Sequence, residues 1–105
     1  MIKWIGIQKR PPNMTADEYR KWYLEKHVNT GRKLPGVRKY VVNLAVKTTD
    51  EEPPYDGVAE LWFDSMDDVK QAFNSPVMEE AKKDLTENNI TSTRIFAEEH
   101  IIISP

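Results

Sequence analysis

The chain of 105 residues has no cysteine, only four glycines, and no apolar run approaching the ~18 residues that span a bilayer. The missing cysteines exclude a disulfide scaffold, thiolate metal sites and a cysteine nucleophile. Gly36 and Gly57 read as turn glycines, so there is no phosphate-cradling loop. An excess of one charge is also lacking: 15 Lys and Arg stand against 17 Asp and Glu, a net charge of −2. Nucleic-acid binders usually advertise a basic face, so no nucleic-acid partner is expected. No signal-peptide pattern follows Met1-Ile2-Lys3-Trp4, which predicts a cytoplasmic protein without a membrane partner. The triplets Asn13-Met14-Thr15 and Asn89-Ile90-Thr91 then carry no meaning as glycosylation acceptors. What is present is 39% hydrophobic and 30% charged, as in soluble globular domains. A single domain over residues 1–105 is expected, since at this length one modest core can bury roughly two-thirds of the unfolded chain's surface.

Ile2 to Lys9 alternates as a strand, with Ile2 and Trp4 on one face and Ile5 and Ile7 on the other. Thr15-Ala16-Asp17-Glu18 is a capping box opening a helix. Tyr19, Trp22, Tyr23, Lys26, His27 and Thr30 share its inward stripe, and Gly31 offers a C-cap. After the turn Leu34-Pro35-Gly36, Arg38 to Val46 reads as a second strand with Tyr40, Val42, Leu44 and Val46 on one face. Residues 47–57 are charged, proline-rich and unpatterned, a long hairpin loop. Val58 to Phe63 is the third strand. Ser65 caps a helix with Met66, Val69, Ala72 and Phe73 inward, and Ser75-Pro76 restarts it. Its second piece runs to about Leu85, with Val77, Ala81 and Asp84 or Leu85 inward. Thr86 to Thr93 reads as polar loop and Arg94 to Ile103 as the last strand.

The order β-α-β-β-α-β is the ferredoxin-like signature, an α+β four-stranded antiparallel sheet with its helices on one face. Two helices cover only one face, yet both faces of these strands are largely apolar. A water-facing side would alternate more cleanly. A homodimer packing sheet against sheet resolves the conflict and leaves a pocket between sheet and helices.

His27, on the inward edge of the first helix, is placed to act as a general base, because an imidazole titrates near neutral pH. The alternative is a histidine closing the helix C-terminus, where a cation suits the dipole. Asp84 lies at the inward edge of the second helix and needs a partner, either that imidazole or a lysine or backbone amide. Glu60 is flanked on its face by Val58 and Trp62, as a pocket acid or as half of an interface salt bridge. Tyr19, Tyr23, Tyr40, Trp4 and Trp62 either line an aromatic pocket or form plain core. His100 reads as surface or interface. No pair of ligands falls at metal-binding spacing, so no metal is expected.

These residues together resemble the EthD domain. Thr15-Ala16-Asp17-Glu18-Tyr19-Arg20-Lys21-Trp22, His27 and Leu34-Pro35-Gly36 carry the first half of the likeness. Asp56-Gly57-Val58-Ala59-Glu60-Leu61-Trp62-Phe63-Asp64-Ser65, Phe73-Asn74-Ser75-Pro76, Ala81, Asp84 and Glu98-Glu99-His100 carry the second. The resemblance implies a dimeric α+β barrel and puts the family's helix-one histidine on His27 and its helix-two aspartate on Asp84. It also implies relatives that include methylmuconolactone isomerases, polyketide cyclases and dehydratases, and cofactor-free monooxygenases. More distant haem-binding members fit less well, because His27 is the only inward histidine.

The expectation is therefore a cofactor-free isomerase or lyase acting on a small cyclic or aromatic carbonyl compound. His27 moves the proton, Asp84 orients it, and Tyr40 or Tyr23 stabilises the enolate oxygen. Trp4, Tyr19, Tyr23, Glu60, Trp62 and Phe73 are the expected substrate-binding residues. A cofactor-free monooxygenase of phenols and a non-catalytic ligand-binding accessory protein are the alternatives. Fold alone does not choose among them.

Overall fold

A computed structural model describes residues 1–105. Strand β1 (Ile2–Lys9) is followed by helix α1 (Ala16–Trp22), a π-helical turn (Tyr23–His27) and the short helix α2 (Val28–Gly31). Then come β2 (Lys39–Leu44), β3 (Gly57–Phe63), α3 (Met66–Phe73), α4 (Pro76–Glu87) and β4 (Thr91–Glu98). The four strands form one antiparallel sheet in the order β2-β3-β1-β4, the ferredoxin-like arrangement expected from the element order. No helix is long and apolar enough to cross a membrane.

The helix starts lie where the sequence puts them. Thr15 accepts from the Glu18 amide while Glu18 accepts from the Thr15 amide, satisfying two donors that the first turn otherwise leaves open. That reciprocal bond lowers the Glu18 carboxyl pKa. Ser65 and Ser75 cap α3 and α4 by accepting from the Asp68 and Met78 amides, with Pro76 opening the second helix.

Register decides which residues meet the helices. Trp4, Leu61 and Tyr40 lie across from one another, as do Gly6, Ala59 and Val42. This face packs on the helices through two joined clusters. Leu34, Leu61, Phe63, Val69, Ala72 and Met78 fill one; Tyr19, Trp22, Tyr23, Ala59 and Ile90 fill the other. No helix covers the opposite face, which carries Ile5, Ile7, Val41, Val58, Glu60, Trp62 and Ile95. Trp62 is buried there nonetheless. Lys3 and Lys39 lie 4.8 and 4.7 Å from its ring and Glu99 accepts its indole N–H. That bond, together with Lys3, lowers the Glu99 pKa. Lys3 bridges Glu60 at 3.1 Å, and the Glu60 hydrogen bond raises the Lys3 pKa.

Several boundaries differ from expectation. The polar stretch 86–93 is not a loop: α4 continues to Glu87, Asn89 turns the chain at φ 55°, and β4 begins at Thr91. Asparagine tolerates that left-handed backbone better than most residues. The last strand is also not Arg94–Ile103. β1 has eight residues and pairs with all of Thr91–Glu98, so His100 and Ile101–Ile103 have no partner strand and stay exposed. β2 stops at Leu44, short of Val46. Met66, expected inward, is exposed, and Met78 takes the buried place. Gly31 is not the C-cap; it is buried inside α2, where a Cβ would sit 2.7 Å from the Tyr40 ring.

Candidate active site

A cavity of about 480 Å³ opens between the sheet and the helices, within the size range of small-molecule sites. Its walls are mostly apolar, with Leu34, Ala59, Leu61, Met78, Leu85 and Ile90 among them. His27, Tyr23, Tyr40 and Trp4 also line it.

His27 owes its position to the π turn. The turn places Tyr23 and His27 together at the sheet side of the helical segment, their rings edge to face with centroids 5.0 Å apart. Trp22 stacks on the other side of the imidazole at 4.8 Å, nearly parallel. The ring is therefore clamped between two aromatics and is only 6% exposed. Its Nδ1 lies 2.8 Å from Asp84 Oδ2. In the neutral ring, Nδ1–H donates to that carboxylate and leaves a bare lone pair on Nε2, which has no hydrogen bond to the protein.

Asp84 is itself held in place. Its Oδ1 accepts from the Trp22 indole at 3.3 Å and from the Asn88 side-chain amide at 3.1 Å. One carboxylate thus ties α1, the π turn and α4 together while both of its oxygens are satisfied. Trp22 and Asn88 join the site without being among its expected residues. Trp22 sits on the predicted inward stripe, but Asn88 falls in the stretch read as loop and carries no recognisable signal.

The second polar feature is a tyrosine pair. The Tyr23 and Tyr40 hydroxyls are 3.1 Å apart. Burial raises both pKa values. Tyr23 is pushed further by Tyr40, whereas for Tyr40 the Tyr23 hydrogen bond and the Arg32 charge work the other way. Both phenols are neutral near pH 7. One hydroxyl donates to the other, so one O–H remains for an oxygen bound in the cavity.

The remaining candidates are distributed as follows. Tyr19 is buried and donates to Gln8 Oε1 at 2.9 Å, under the sheet beside the cavity and not in its wall. Its pKa is raised chiefly by burial. Phe73 packs against Trp4 at 6.1 Å and Phe96 at 5.5 Å, behind the lining. Glu60 and Trp62 lie on the uncovered face of the sheet, away from the cavity. No three His, Cys, Asp or Glu side chains are grouped so as to hold a metal ion.

Comparison with known proteins gives the following. The family model of the EthD domain matches residues 11–90. An EthD family protein of Bacillus halodurans C-125 superposes with a TM-score of 0.80 at 22% identity, over 95% of this chain and 99% of that one. SnoaB, a cofactor-independent oxygenase of Streptomyces nogalater, gives 0.67 at 13% identity over 97% of each chain. A dimeric protein with a ferredoxin-like fold from Bacteroides fragilis NCTC 9343 gives 0.63 at 20%, over 90% and 93%. At these identities the likeness is one of fold. No curated protein matches the chain.

Proposed function

This chain belongs to the EthD domain family, and from that premise we propose that it is a cofactor-free isomerase or lyase acting by proton transfer on a small cyclic or aromatic carbonyl compound. The observation that carries the reading is the His27–Asp84 pair, 2.8 Å apart, on a mostly apolar cavity. With Nδ1–H committed to Asp84, Nε2 takes a proton from the carbon alpha to the substrate carbonyl. Asp84 stabilises the imidazolium that results, as carboxylates do in acid–base pairs. The enolate oxygen accepts the free O–H of the Tyr23–Tyr40 pair, a donor fixed before the charge develops. Return of the proton to another carbon gives an isomer; expulsion of a leaving group gives a lyase.

The test is proton NMR in D₂O with lactones, phenolic ketones and polyketide-like cyclic ketones. Deuterium at an alpha carbon, or a new isomer, formed only with the protein present is the expected result. No exchange with any of them would count against proton transfer.

The likeness in fold to SnoaB, a cofactor-independent oxygenase, supports a second reading, cofactor-free oxygenation, in which His27 deprotonates a phenol and the phenolate reduces oxygen. Oxygen consumption during turnover separates the two.

We also propose that the uncovered sheet face is where two copies of this chain meet. Ile95 is 54% exposed there, beside Ile5 and Ile7, and contiguous apolar surface of this kind marks interfaces. Light scattering is expected to give twice the chain mass. Ile95→Lys, which places a charge in the seam, is expected to shift it towards the monomer; a monomer in the unmodified protein refutes the interface.

A further inference from the structure

We propose that the ligand of this cavity carries a carboxylate, which binds Arg94 and Lys82 at the end remote from the tyrosine pair. The proposal rests on the reading of the cavity as a substrate site and adds the substrate's charge. The chain has 17 acidic residues, yet none is among the cavity-lining residues, where the permanent charges are Lys82 and Arg94. In a chain of net charge −2, a cationic, acid-free lining points to an anionic occupant.

Arg94 is suited to the task. It lies on β4 opposite Gly6, over which the Trp4 ring is packed. Its guanidinium carbon sits 5.9 Å from the centre of the Phe73 ring, a platform held by Trp4 and Phe96. It forms no ion pair, whereas Arg10 pairs with Asp56 and Arg38 with Asp64. Lys82 projects from α4, and its one carboxylate neighbour, Glu79, is 3.8 Å away and mostly exposed. A guanidinium fork matches a carboxylate with two parallel hydrogen bonds.

An independent observation concerns the tryptophans. Trp22 and Trp62 donate their indole N–H groups to Asp84 and Glu99. Trp4, which lines the cavity, has a buried indole N–H with no acceptor. A buried donor left open is costly and is normally satisfied. Tyr40 on β2 and Arg94 on β4 stand on opposite edges of the sheet, three strand spacings across and two residues along, about 16 Å apart at the backbone. A ligand with its reacting carbonyl near the tyrosines and a carboxylate several bonds away spans that gap.

The test compares 2-naphthoate with its neutral isostere 2-naphthamide by tryptophan fluorescence titration at low salt. It uses the unmodified protein and an Arg94→Gln, Lys82→Gln double variant, neither position being assigned to proton transfer. The naphthoate is expected to bind about 10-fold tighter than the amide, equivalent to about 1.4 kcal/mol. In the double variant the amide should keep its affinity and the preference should vanish. The Trp4 indole N–H resonance should shift on titration. Equal affinities in the unmodified protein, a preference that survives the double variant, or no binding of either probe would overturn the proposal. None of these results touches the deuterium-exchange test, so loss of the anion site and loss of proton transfer are told apart.

Discussion

Replacing His27 with alanine is expected to lower proton-transfer turnover by about 10²-fold or more, the usual contribution of a positioned base, while the fold survives. The ring is buried between Trp22 and Tyr23, so its loss leaves a void beside two core aromatics and lowers stability without removing a cluster residue. Asp84→Asn separates chemistry from packing. It keeps the shape of the carboxylate and an acceptor for Nδ1–H, but removes the charge that stabilises the imidazolium. Turnover should fall in this variant too, with circular dichroism close to that of the unmodified protein and a lower thermal midpoint, because one amide oxygen cannot accept on both sides from His27, Trp22 and Asn88. Alpha-carbon exchange that continues at the normal rate in His27→Ala would remove the imidazole from the mechanism.

The second large effect lies at alkaline pH. Tyr19 and Tyr23 are 1% and 2% exposed, and burial holds both phenols protonated well above their ordinary value. A group whose pKa is higher in the folded state contributes stability that is fully present below its unfolded pKa, here about 10, and lost as pH rises beyond it. Each such phenol removes about 1.4 kcal/mol per pH unit over that window, so two together remove nearly 3. Tyr40 and Lys3 act in the same direction. Against a typical stability of about 5–15 kcal/mol, unfolding is expected a few pH units above 10. Tyrosinate absorbance from the buried phenols should rise together with loss of the helical signal, and Tyr23→Phe should move the transition to higher pH. Ionisation of these phenols in a chain that still gives its full helical signal would refute this account.

The local chemistry of the chain was readable in advance wherever a residue type has few structural uses. Thr15 with Glu18, Ser65, and Ser75 before Pro76 each mark a helix start by satisfying open amides, and all are found capping. Period-two alternation separated Trp4 from Ile5 and Tyr40 from Val41 correctly. It could not say which face the helices would choose, so Glu60 and Trp62 were grouped with residues that lie across the sheet from them. His27 and Asp84 were both legible as inward polar residues in need of partners, and they meet. The π turn was not legible, because nothing in Tyr23-Leu24-Glu25-Lys26-His27 distinguishes it from α-helix. Arg94 reads in the sequence only as the first residue of a strand. Its importance depends on β4 starting earlier, at Thr91, and on its register against Gly6, which only the pairing with β1 fixes.

The place of β1 in the sheet has a consequence for how the chain reaches this structure. β1, first of the four strands in chain order, is an interior one: Ile2 pairs with Phe63 on one side and Glu98 on the other. Neither edge of β1 finds its native neighbour until Gly57–Phe63, and then Thr91–Glu98, have been made. Contacts so distant in sequence slow folding, because the loop-closure entropy is lost before pairing compensates for it. Until then Ile2, Trp4, Ile5 and Ile7 form an apolar strand with both edges open, the kind of segment that pairs with other chains. On the ribosome β1 is therefore a segment that needs shielding until β3 and β4 have emerged.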